Sequence, residues 1–256
     1  MILHPHPPGW AVIPQSSHAM LAFQLADHWG NRLVQRPAPR PDVLAAVLLH
    51  DAGWDGREEP LRCGADGVPL AFDTWPESER EPLWTAAVER AALRGRYVAY
   101  LVSHHVASLA RRSTRQLHQE FAVAEERRQA ALRAELAPDP RYGQAFATAA
   151  DDVNRSIVRL TDAIAVQLSL GVQETVELAD LATTGGLSAL ELRPVGVRTY
   201  RLRPWPLVGR RLVVHADARL LPAVRFGGDA ELRSAWVAAP ARRLAWTLLA
   251  TGAPAD

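Results

Sequence analysis

The sequence predicts a mainly α protein with a small β-rich segment at its C-terminal end, and three observations lead there. Apolar residues recur at helical spacing through residues 1–185, punctuated by Gly and Pro. Beyond Thr183-Thr184-Gly185-Gly186, segments such as VGVRTYRL and RRLVVHADARLLP alternate apolar with polar side chains, as half-buried strands do. Pro204, Pro206, Gly209 and Gly227-Gly228 supply turns between those segments. The expected organisation is a helical unit over residues 1–185 with a β-rich segment, 186–256, packed on it.

Along the chain, Trp10 to Ile13 form a short strand that Pro14 stops. Ser16 or Ser17 caps a helix running from about His18 to Trp29, closed by Gly30-Asn31. Asp42 caps a second helix, VLAAVLLHD, which is apolar nearly all round and therefore buried. Residues 54–82 hold many Gly, Pro and charged residues and read as irregular. Residues 83–110 are helical with a break near Gly95. The Arg/Glu/Ala/Gln-rich stretch 113–137 is a helix with a solvated face, ended by Pro138 and Pro140. A last long helix covers about 144–173.

Composition excludes several chemistries. The 256 residues are 48% hydrophobic, ample for a core, and 29 basic against 28 acidic side chains leave a net charge of +1. That balance argues against nucleic acid or an anionic membrane as partner. Every basic side chain other than His is Arg, so Schiff-base lysine chemistry and a phosphate-loop lysine are ruled out. Cys63 is the single cysteine, which excludes a disulfide framework and a thiolate cluster. The start, MILHPHPPGWAVIP, lacks the pattern of a signal peptide, and no apolar run approaches the roughly 20 residues that span a bilayer. A cytoplasmic protein is expected.

Four residues of metal-ligand type fall on inward helix faces. Asp51 follows Leu44, Val47 and Leu48 at helical spacing, with His50 beside it at the end of the same buried helix. His18 precedes Leu21, Ala22 and Leu25 on the first long helix, and Asp162 lies between Val158 and Ala165-Val166 on the last. A single inward His is more often a satisfied core residue than a ligand, and a single inward Asp more often a pairing group. Four together, in the order His, His-Asp, Asp, weaken that reading, because an ionised carboxylate in an apolar setting is costly unless paired or bound to metal. Two imidazoles and two carboxylates suit one divalent ion, Mn, Fe, Ni or Zn.

That order resembles the HD-domain superfamily of metal-dependent phosphohydrolases. More narrowly, QSSHAMLAFQLADHWGN, LLHDAGWDG, GVPLAF, YLVSHHVASL, LTDAIAVQLSL and the late PWPLVGRRL are similar to a bacterial family within it. The resemblance implies an HD-type helical bundle with the metal between helices. It also implies a hydrolase acting on a small phosphorylated substrate, a phosphomonoester or phosphodiester, nucleotides included. Binuclear members place two further histidines between the His-Asp pair and the final Asp. Here residues 52–103 contain no histidine, so one metal is expected.

Around the four ligands, His105 follows Val98, Leu101 and Val102 inward and is favoured over His104 as substrate contact or general acid. Asp55, with Glu58 and Glu59, follows the motif as a candidate general base, although loop carboxylates are more often solvated. Arg159, three residues before Asp162, is placed to reach a bound phosphate. Two other readings stand beside hydrolysis. One is an HD-type iron oxygenase, disfavoured by the missing histidine; the other is a non-catalytic ligand-binding or regulatory scaffold. Oligomeric state is not read from the sequence.

Overall fold

The computed structural model describes residues 1–57 and 61–254. In chain order the elements are β1 (Ile2–His6), β2 (Gly9–Ile13), α1 (Gln15–Asp27) and α2 (Arg40–Leu49). Two single 3-10 turns follow, Ala52–Trp54 and Glu77–Glu79. Then come α3 (Arg80–Ala92), α4 (Arg96–Ala110), α5 (Gln116–Leu136), α6 (Pro140–Ala147) and α7 (Ala150–Leu170). The chain ends with β3 (Val176–Thr183), β4 (Gly186–Gly196), β5 (Thr199–Arg203), β6 (Arg211–Leu221), α8 (Asp229–Ala238) and β7 (Ala241–Leu249).

The mainly α expectation is corrected. The described residues are 47% helix and 23% strand, and the strands form one large curled sheet instead of a small appendage on an HD-type helical bundle. That strand share is an ordinary complement for a mixed α and β protein. Seven strands run in the order β1-β2-β6-β7-β5-β4-β3. Neighbours are antiparallel except β5 and β7, which pair in parallel, so the sheet is mixed. The N-terminal hairpin joins the C-terminal strands directly, Trp10 opposite Leu221 and Val12 opposite Arg219. Local pattern carries no information about such pairing, because the partners lie about two hundred residues apart. Pro5 also hides β1 from a sequence reading; it is tolerated because β1 is an edge strand.

Alternation along the inner strands turns one sheet face toward the helices. Leu244, Trp246 and Leu248 of β7, Val214, Ala216 and Ala218 of β6, and Tyr200 and Leu202 of β5 are all buried. They share one core with Leu21 and Leu25 of α1, Leu101 of α4, and Leu160, Ile164 and Leu168 of α7. Helix α7 packs on α1, α2 and α4 and also meets β1 and β3, while α1 reaches β6. The apolar stripe expected on the last long helix thus sits between the sheet and the other helices.

The helix boundaries follow local chemistry. Pro39 precedes α2 and Pro41 occupies its first turn; Asp42 does not cap it, accepting instead from Tyr142 and Arg141. Pro140 starts α6, where Asp139 accepts a hydrogen bond from the Arg141 amide at 2.8 Å. Gly95 separates α3 from α4 where the break is expected. Gly171, left-handed at φ 70°, ends α7.

Candidate metal centre

Helix α2 ends at Leu49, leaving its last carbonyls without intrahelical donors. The His50 ring meets that need locally: Nδ1–H donates to the Val47 carbonyl at 2.6 Å. This bond orients the ring and aims Nε2 inward, the arrangement that outer-sphere partners impose on metal-binding histidines. Asp51 then leaves the helical path and leads into the 3-10 turn Ala52–Trp54. Arg90 of α3 clasps that turn through the carbonyls of Ala52 and Asp55.

The four residues expected as ligands come together. His18 from α1, His50 and Asp51 from the end of α2, and Asp162 from α7 each present one donor atom, all within 4.8 Å of one another. The His18 Nε2–H donates to Asp162 Oδ1 at 3.0 Å, and the same nitrogen lies 3.8 Å from Asp51 Oδ2. His50 Nε2 stands 3.4 Å from Asp51 Oδ2 and 3.3 Å from Asp162 Oδ1 without a well-directed hydrogen bond. The imidazoles are sealed, with side-chain exposure of 0% for both, whereas Asp51 at 17% and Asp162 at 16% open toward solvent. Four donors with one open side are what a site that accepts a further ligand requires.

The electrostatics match. Burial alone would lower the His50 pKa, but the Asp51 and Asp162 carboxylates outweigh it and hold the imidazole well above its ordinary value. Burial would raise both carboxyls, yet His50 holds Asp51 low, and the His18 hydrogen bond together with the adjacent His50 holds Asp162 well below the usual carboxylate range. The donor set fits a divalent cation. Bonds of about 2.1 Å place ligand atoms roughly 3–4 Å apart around one ion, the spacing found here. His50 Nε2 is buried without a hydrogen-bond partner, and two anionic oxygens lie beside two imidazole nitrogens.

His105 lies beside the cluster, its Nε2 3.7 Å from Asp162 Oδ2 and its ring edge-on to His50 with centroids 5.0 Å apart. Neither ring nitrogen has a partner, and burial, the largest influence, pushes its pKa down to about 4. A cavity of about 360 Å³ opens over Asp51, Asp162 and His105, walled by Trp54, Phe72 and Trp84 and by Arg80 and Arg112.

The remaining expected residues lie elsewhere. Asp55 is exposed, 3.7 Å from Arg90, and faces a separate hollow with Ser16 and Arg219. Glu58 and Glu59 fall outside the described residues. Arg159 lines a third hollow, with His104, Ser108 and Arg155, into which His105 also opens. Sequence reasoning missed Arg80 and Arg112. Arg112 lies seven residues after His105, in the turn just past the end of α4, where closeness in sequence to the His105 helix is the one signal offered. Arg80 follows an irregular segment and gives no such signal.

Fold and site together define a mixed α and β protein with a candidate His2Asp2 metal centre between its helices and no helix, among the described residues, long and apolar enough to cross a membrane. Residues 1–223 match the family described as "Protein of unknown function (DUF3891)", and the chain belongs to that family. Comparison with curated proteins and with solved structures found no match.

Proposed function

We propose that the chain is a metal-dependent phosphohydrolase of HD-domain type that hydrolyses a small phosphoester. The observation that carries this reading is the convergence of His18, His50, Asp51 and Asp162 within 4.8 Å at the floor of an open cavity. One divalent cation held there, Mn, Fe, Ni or Zn, supplies Lewis acidity toward a phosphoryl oxygen and lowers the pKa of water. The residues do the rest. Asp51 and Asp162 face the cavity and hold negative charge beside His50, which keeps the donor set compact. The Val47 carbonyl keeps the His50 ring from turning. His105 presents an unpartnered nitrogen to the cavity, within reach of a phosphoester oxygen. Trp54, Phe72, Leu83 and Trp84 also line the cavity and give an organic ester group an apolar surface.

The test is a turnover assay on metal-reconstituted protein with p-nitrophenyl phosphate and bis(p-nitrophenyl) phosphate. Metal-dependent release of p-nitrophenol, lost in Asp51→Ala, is expected. Absence of hydrolysis under every one of the four metals, across a wider panel of nucleotides and sugar phosphates, contradicts the proposal.

A further inference from the structure

The cavity over the cluster carries two cations that the cluster does not use. Arg112 lies in the turn that follows α4, seven residues past His105, its amide donating to the Leu109 carbonyl at 3.1 Å. Arg112 lines the cavity, and among the described residues no carboxylate or carbonyl engages its guanidinium. Arg80, the first residue of α3, is held by a 2.9 Å hydrogen bond from its Nη2 to the Asp73 carbonyl. Its Nε is buried against the cavity wall with no acceptor. A buried N–H without an acceptor is costly, and a ligand oxygen would relieve it.

Charge points the same way. Glu77, also on the wall, is paired with Arg115. Asp51 and Asp162 balance a bound dication. That leaves Asp73 against Arg80 and Arg112, a cavity with net positive charge.

We infer that Arg80 and Arg112 form the oxyanion-binding wall of this cavity, gripping the non-bridging oxygens of a phosphomonoester whose phosphoryl group lies over His18, His50, Asp51 and Asp162. The inference rests on the phosphohydrolase reading and narrows it. A phosphomonoester offers three non-bridging oxygens, enough for the cation and both guanidiniums, whereas a diester offers two. Guanidinium also presents paired donors suited to phosphate.

The experiment compares wild type, Arg80→Met, Arg112→Met and Arg112→Lys, each checked for bound metal by plasma mass spectrometry and for melting temperature. With metal retained, each Met variant is expected to raise KM for p-nitrophenyl phosphate and the inhibition constant of inorganic phosphate by about tenfold or more, with a smaller change in kcat. Arg112→Lys should recover part of the loss, and wild type should prefer monoester to diester. Unchanged KM and phosphate inhibition in both Met variants, with metal retained, overturn the inference while leaving the metal-dependent hydrolase in place. If wild type hydrolyses nothing, calorimetric titration with inorganic phosphate decides. Binding that both Met variants weaken sustains the anion wall, and binding that is absent or unchanged by them overturns it.

Discussion

His104 and His105 are neighbours with opposite fates, because successive helical residues point about 100° apart. His105 turns into the cluster; His104 packs edge-on against Tyr100, centroids 4.6 Å apart, near Arg155 and Arg133. Burial first, and then those two guanidiniums, push the His104 pKa down to about 3. A pKa depressed below the unfolded value contributes stability that is fully present above about pH 6.5 and lost as pH falls toward 3. His104→Leu should therefore cut the stability lost between pH 7 and pH 5 by on the order of 1–2 kcal/mol, measured by urea unfolding at both pH values. An identical pH dependence in the variant would contradict this. At this scale the sequence was informative where helical periodicity governs direction: His18, Asp162 and His105 all point where their spacing says. Asp55 was not legible, since its side chain direction depends on Arg90, a residue 35 positions away.

The element that joins site to scaffold is the 3-10 turn after His50-Asp51. Gly53 sits so close to α3 that a Cβ would lie 1.8 Å from the Leu83 carbonyl oxygen and 2.7 Å from its carbon. Both are backbone atoms, so a side chain can be accommodated only by moving the turn or the helix. Gly53→Ala should destabilise the protein by about 1–3 kcal/mol, as overpacking does, and reduce bound metal because Asp51 begins that turn. A melting temperature and metal content equal to wild type would show that the turn does not position the site. Helices α1 to α5 were legible to within a few residues because breakers mark their ends, as at Gly95, whereas α8, inside the segment expected to be β-rich, was not. The expected 144–173 helix is instead α6 followed by α7, parted at Thr148-Ala149, where no Gly or Pro announces the break.

Across the whole molecule, one core runs from Ile2 through the helices to Leu248, so hairpin, helices and C-terminal strands are buried together. The sheet was illegible as a whole because its order, β1-β2-β6-β7-β5-β4-β3, depends on pairings between chain ends, which no local pattern encodes. The cluster spans the same distances: His18 lies 144 residues from Asp162. A cation held by both ties α1, the end of α2 and α7 into one unit, and a ligand that binds only the folded state stabilises it by mass action. The decisive measurement is metal content by plasma mass spectrometry, with melting temperature, on wild type and Asp51→Ala purified without chelator. One equivalent of Mn, Fe, Ni or Zn in wild type, lost in the variant together with the metal-dependent rise in melting temperature, is expected. No metal in either protein, even after reconstitution, would contradict the metal centre on which the function rests.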